Sequence, residues 1–236
     1  MNKKDSLPIL NYDEDTSTKY KNNHQYLPIW PFRLLMTGDS SCGKTNLVIN
    51  LLNYLYYDKV YIYTKDITEP KYQKIKDFFD GICVEAKEKY GEDIRILELN
   101  SEIESVDNLI AEDEEGNIVQ NLVIFDDFVV DKHQELIEEY FIRGRKKNAS
   151  MIYISQSYFN TPKNVRLQCN YFVLYRINSK NEIREIIKDK ALGIPSDDFE
   201  YLFNFATSEE YSFFLIDLKT KDKRLKFRRN FEPLKE

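Results

Sequence analysis

GDSSCGKT, residues 38–45, decides the fold of this 236-residue chain. It fits G-x-x-x-x-G-K-[ST] at every fixed position, with the apolar run FRLLMT (32–37) before it and TNLVINLLNYLYY (45–57) after it. Strand, glycine-rich turn and helix in that order form a phosphate-binding loop. Gly38 and Gly43 permit backbone angles that a Cβ would forbid. The amides of Gly38, Asp39, Ser40, Ser41, Cys42, Gly43, Lys44, Thr45 and Asn46 then face a bound phosphate at the positive end of the following helix. In such a loop Lys44 bridges the β- and γ-phosphates of ATP, and the Thr45 hydroxyl turns to Mg²⁺. Cys42 reads as a small residue at a variable position; the alternative is a thiol acidified by the helix N-terminus.

Outward from the loop, strand and helix signals alternate. KVYIYTK (59–65), IRILEL (94–99), NLVIFDDFVV (121–130), SMIYISQSYF (150–159) and NYFVLYRI (170–177) read as strands. Helices are expected over 69–91, 132–147 and 179–193, and 211–220 with 224–231 resembles a late hairpin. Continuous apolar strands between helices imply an α/β fold, a mostly parallel sheet covered on both faces, ending in a C-terminal β-hairpin. Residues 1–29 are polar and aperiodic, an expected N-terminal arm; 30–236 form the expected ATPase domain.

Composition narrows the class. The longest apolar runs are strand-length, well short of the roughly 20 residues a membrane helix needs. The cysteines, Cys42, Cys83 and Cys169, are three and far apart, which gives neither a zinc spacing nor a disulfide framework. A formal charge of −6 argues against a surface that coats nucleic acid throughout, without excluding a local basic patch.

Two further motifs carry chemistry. LVIFDD (122–127) is a buried run ending in two carboxylates, the form of a Walker B strand. Asp126 is placed to hold Mg²⁺, and Asp127 to orient or deprotonate an attacking water. A kinase needs no second carboxylate for water, so the pair points to hydrolysis. Gln156 ends the next apolar strand. Were that strand inserted between the loop strand and the Walker B strand, its amide would stand beside the γ-phosphate as a sensor. Arg143 and Arg145, just upstream, serve either a basic helix C-terminus or a neighbouring subunit's γ-phosphate.

PFRLLMTGDSSCGKTNL, NLVIFDDF, GRKKNASMIYISQSYF and NVRLQCN together resemble the DNA-packaging ATPases of poxviruses, other large DNA viruses, virophages and polinton-like elements, within the FtsK–HerA superfamily. The likeness runs from about Pro31 to about Tyr175. It implies an additional-strand sheet and a hexameric or pentameric ring that threads double-stranded DNA into a capsid, contacting portal or vertex proteins. Localisation would be the host cytoplasm or a viral factory, or association with the virion. Lys44 and Thr45 match the Walker A residues, Asp126 the metal-binding acid, Asp127 the catalytic acid, Gln156 the sensor and Arg145 the arginine finger. Arg166 and Asn170 fall in a segment the group shares. The chain departs from the pattern at Asp127, where glutamate is usual, and at Lys146, where histidine is usual.

Basic residues cluster in RGRKK (143–147) and KTKDKRLKFRR (219–229), which fit either a DNA track or a solvated hairpin. Trp30 and Phe32 are expected to pack the start of the domain rather than flank adenine. The alternatives are a DNA helicase or conjugative pump of similar chemistry, a P-loop nucleotide kinase, and a nucleotide-binding scaffold. No arginine-rich lid for a kinase is apparent, and the intact Lys44, Asp126 and Asp127 set argues against a scaffold.

Overall fold

The computed structural model describes residues 19–22, 24–128, 134–191 and 193–234. Its centre is a nine-stranded sheet in the order β3-β2-β4-β5-β1-β6-β7-β8-β9. The strands are β1 (Arg33–Thr37), β2 (Lys59–Thr64), β3 (Leu97–Asn100), β4 (Asn121–Asp126), β5 (Ala149–Ser155), β6 (Tyr171–Tyr175), β7 (Phe213–Asp217), β8 (Phe227–Arg229) and β9 (Glu232–Pro233). From β3 across to β6 every pairing is parallel. From β7 onward the pairings are antiparallel, which bears out the late hairpin.

Alternation along each strand explains the layers. Leu35, Val123, Phe125, Met151, Tyr153, Phe172 and Leu174 point to one face. There they meet α3 (Gln134–Arg143), α4 (Lys163–Gln168), α5 (Lys180–Lys190) and α6 (Ser196–Ala206) through Ile137, Phe141, Val165, Ile186, Phe199 and Phe203. Their chain neighbours Leu34, Met36, Ile124, Ile152, Ile154 and Val173 point to the other face. Those meet α1 (Lys44–Tyr54) and α2 (Pro70–Tyr90) through Val48, Leu51, Tyr72, Ile75 and Phe79. With both faces covered, both side-chain sets must be apolar, so the strands read as unbroken apolar runs.

Several expected boundaries shift, each for a local reason. The strand expected over 150–159 stops at Ser155, whose hydroxyl donates to Ser157 O (2.7 Å) and accepts from Ser157 N (3.1 Å), turning the chain. The helix expected to run to residue 147 ends as α-helix at Arg143 and tightens into a 3₁₀ turn that stops at Asn148, φ 51°. β8 begins only at Phe227, because the Asp222 carboxylate accepts from Arg224 N (3.0 Å) and winds 223–225 into a 3₁₀ turn. α6 has no counterpart among the expected elements, although Phe199, Phe203 and Ala206 recur at helical spacing. Residues 1–18, 23, 129–133, 192 and 235–236 of the expected arm and domain lie outside the described residues.

From Lys19 onward the stretch expected as an arm packs on the domain. Tyr20 OH donates to Asn148 Oδ1 (2.9 Å), Lys21 N to Gln120 Oε1 (2.7 Å) and Ile29 N to the Tyr171 hydroxyl (3.1 Å). Trp30 and Phe32 are buried in the core, and Trp30 Nε1 donates to Asn148 O (3.1 Å), so neither flanks a nucleotide. Arg228 supplies the strongest tie. Its guanidinium is buried, pairs with Asp217, and donates to Tyr26 O (2.6 Å) and Leu225 O (2.7 Å).

Candidate functional site

The phosphate loop leaves β1 at Thr37 and enters α1 at Lys44. A Cβ on Gly38 would lie 2.5 Å from Tyr175 Cβ and 2.9 Å from Cys42 Sγ, so only glycine lets the loop sit this close to β6. Gly43 is the N-cap of α1 at φ 107°, with no side chain capping the helix and no acidic residue in its first turn. The first amides of α1 are thus left for an anion. Lys44 Nζ meanwhile donates to Gly38 O (2.6 Å) and Asp39 O (2.8 Å), which holds the ammonium over the loop.

A polar cavity of about 450 Å³ opens above these groups. Ser40, Ser41, Gly43, Lys44, Thr45 and Asn46 line one side, and Asp126, Asp127 and Gln156 the other. Gly38, Asp39 and Cys42 shape the loop without lining that cavity. Asp39 Oδ2 accepts from Asn178 Nδ2 (3.2 Å), and burial pushes the Cys42 thiol up despite the nearby Lys44, which favours the small-residue reading. A larger depression of about 930 Å³ lies at the opposite edge of the sheet. Its lining alternates Lys19, Lys21, Lys59 and Arg95 with Asp58, Asp93 and Asp113, and it converges on no chemistry.

β5 lies between β1 and β4, as the sensor reading requires. In register, Thr37 stands beside Ser155, and Asp126 beside Ile154. Gln156 therefore emerges between the loop and the carboxylates, and its Oε1 accepts from Ser40 Oγ (3.2 Å).

Asp126 is largely buried and accepts a hydrogen bond from the hydroxyl of Tyr72, a fully buried α2 residue. Burial raises its carboxyl above the ordinary range, aided by Asp127 and Glu69, while Tyr72 and Lys44 pull it down. A buried carboxylate repelled by two acids is a site that a divalent cation would relieve. Asp127 is exposed and has φ 64°, which turns the chain sharply out of β4 and into the cavity wall. Among the described residues no cluster of three or more His, Cys, Asp or Glu could hold a metal unaided. One carboxylate and one hydroxyl fit Mg²⁺ that arrives with phosphate oxygens.

The arginines separate. Arg143 pairs with Asp107 (2.6 Å) and Glu139 (3.6 Å), in keeping with a helix-end role. Arg145 is exposed and precedes β5, so it lies at the sheet edge opposite the loop. The length of β5, about 20 Å at roughly 3.3 Å per residue, keeps it from its own cavity. Arg166 lies over the Tyr158 ring (4.9 Å) and pairs with Asp189 (3.4 Å). Asn170 Oδ1 accepts from Arg33 N (2.9 Å). Both hold β6 and its flanking helices and are remote from the cavity.

In the basic segment 219–229, Lys219 Nζ donates to Ile29 O (3.0 Å), Arg224 pairs with Asp222, Arg228 with Asp217 and Arg229 with Glu209. Lys221, Lys223 and Lys226 make no such ties among the described residues and form what remains of the expected track.

Glu69, Lys71, Tyr72 and Tyr211 also come to this site and carry no local motif. The first three share one signal, the start of a helix directly after the β2 turn. Tyr211 has none.

A family model described as "Poxvirus A32 protein" matches residues 19–221. No curated protein is significantly similar in sequence. B204, the DNA-packaging ATPase from Sulfolobus turreted icosahedral virus, superposes with a TM-score of 0.56 at 15% identity, over 87% of this chain and 98% of that one. The genome packaging NTPase B204 from Sulfolobus turreted icosahedral virus 2, in complex with ATP-gammaS, gives 0.55 at 14% identity, over 86% and 98%. At these identities the likeness is one of fold.

Proposed function

The chain belongs to the poxvirus A32 protein family, and on that footing we propose that it is an ATP-hydrolysing motor that drives double-stranded DNA into a viral capsid. The observation that carries this reading is the insertion of β5 between β1 and β4, which sets Gln156 between the phosphate loop and the paired carboxylates.

The amides of the loop and the first turn of α1 would hold the phosphates, with Lys44 swinging from its two carbonyls to the β- and γ-phosphate oxygens. Thr45 and Asp126 would hold Mg²⁺, which when bound neutralises phosphate charge. Asp127 would orient the attacking water and take its proton, and Gln156 would bond the γ-phosphate or that water. The cations that the described residues bring to this cavity are Lys44 and Lys71. Arg145, exposed and at the far edge of the sheet, would supply a further cation to a neighbour in a hexameric or pentameric ring. A ring also gathers Lys221, Lys223 and Lys226 from each subunit, so a chain of charge −6 can line a DNA channel through backbone phosphates alone. The further partners on this reading are the capsid's portal or vertex proteins, with work in the host cytoplasm, a viral factory or the virion. No helix among the described residues is long and apolar enough to cross a membrane.

The test is ATP hydrolysis with and without linear double-stranded DNA, on the wild type and Lys44→Ala. Stimulation by DNA that Lys44→Ala abolishes is the expected result. Phosphoryl transfer to a nucleoside, or turnover indifferent to DNA, overturns the motor.

A further inference from the structure

Tyr211 is exposed, yet it stands against the most constrained part of the phosphate loop. It precedes β7 in the turn 209–212, where Ser212 N donates to Glu209 O (3.2 Å) and Ser212 Oγ to the same carbonyl (2.6 Å). The Glu209 carboxylate pairs with Arg229 of β8 (2.6 Å), and Phe213 N donates to Asn230 Oδ1 (3.1 Å), so the turn is pinned on both sides. Within it Tyr211 takes φ 63°, a conformation uncommon for a bulky side chain. The residue is 59% exposed, and no packing gain in the core accounts for that backbone. Outliers of this kind gather at ligand sites.

Its position gives the ligand. The ring edge would lie 3.1 Å from a Cβ on Gly43, and Tyr211 lines the same cavity as Lys44, Asn46 and Gln156. The groups that address a γ-phosphate, Asp126, Asp127 and Gln156, lie at or just past the ends of β4 and β5, on one side of β1. Tyr211 leads into β7, on the other side of β1 beyond β6. A nucleoside triphosphate with its γ-phosphate over β5 and β4 must send its base toward β6 and β7. We propose that Tyr211 is the stacking wall for the nucleotide base, a positioning residue that distinguishes a nucleoside triphosphate from bare triphosphate. A flat ring stacks any purine, so the wall responds to the presence of a base more than to its identity. This inference rests on the nucleotide-site reading above.

The experiment compares ATP with inorganic tripolyphosphate, through dissociation constants and KM, on the wild type, Tyr211→Ala, Tyr211→Phe and Tyr211→Trp. Tyr211→Ala is expected to lower the preference for ATP over tripolyphosphate about tenfold to hundredfold, the range for loss of one base–aromatic stack. Tyr211→Phe keeps the preference, because the hydroxyl is not used. The chain has one tryptophan, the buried Trp30, so Tyr211→Trp adds an emitter that ATP quenches and tripolyphosphate does not. If Tyr211→Ala weakens both ligands equally, the ring only braces Gly43 and the inference fails. It fails as well if the preference is unchanged in a wild type that binds both. A wild type that binds neither ligand overturns the nucleotide reading itself, and this inference with it.

Discussion

Replacing Tyr72 by Phe removes one hydroxyl from the candidate site and leaves its shape. That hydroxyl donates to the Asp126 carboxylate from a fully buried position. Asp126 already holds its proton more tightly than an ordinary carboxyl, because burial, Asp127 and Glu69 outweigh Tyr72 and Lys44. A hydrogen bond to a charged group contributes about 1.5–3 kcal/mol, and phenylalanine offers no replacement donor. For a chain of this size that loss lowers Tm by roughly 3–12 °C. The pH dependence carries the sign. With its folded pKa raised, Asp126 contributes stability that is full below the unfolded carboxylate value and is lost as pH rises through the folded one. Loss of the Tyr72 bond raises the folded value further, so the deficit of Tyr72→Phe appears as Asp126 ionises and fades in acid. Thermal melts in EDTA across a pH series measure it. In the ATPase assay the same variant should need about 10–100-fold more Mg²⁺, the usual cost of losing a partner that orients a metal ligand. A Tm deficit that stays constant with pH, together with an unchanged Mg²⁺ requirement, would refute the role given to Tyr72.

Gly38→Ala should cost at least about tenfold in nucleotide affinity by calorimetry, because its Cβ meets Tyr175 Cβ at 2.5 Å where carbon contacts normally lie near roughly 3.5–4.0 Å. Adding Cys42→Ala should not restore binding, since the closer clash remains. Arg143→Ala removes only exposed pairs with Asp107 and Glu139 and should shift stability by about 0–1 kcal/mol in urea melts. Arg145→Ala should keep ATP binding and lose about 10³-fold or more in turnover, and mixing it with Lys44→Ala subunits should regain activity. Arg228→Met strips the buried Asp217 of its cation and should destabilise by about 3–5 kcal/mol in the same melts. Lys221, Lys223 and Lys226 changed together to Glu should weaken DNA stimulation while DNA-free turnover persists; unchanged stimulation places the DNA elsewhere.

What the sequence determined by itself is what depends on residues adjacent in the chain. Gly38 to Thr45 needs only its own backbone freedom and the helix that follows, so it could be read before any fold was known. The acid-ended strand was legible for the same reason, since the buried run of β4 and the two carboxylates at and just past its end lie within six residues of one another. Unbroken apolar strands likewise announced a sheet covered on both faces. Strand order could not be read this way. That β5 enters between β1 and β4 is fixed by hydrogen bonds between segments far apart in sequence. Composition showed KTKDKRLKFRR as a basic stretch, and only tertiary contacts revealed that Lys219, Arg228 and Arg229 are already engaged. Tyr72 and Tyr211 are the sharpest cases: each looks like any other tyrosine among 17, because what gives it a role is a carboxylate or a loop that the fold brings to it. Local chemistry is written along the chain, whereas convergence across the sheet depends on distances the chain does not display until it folds.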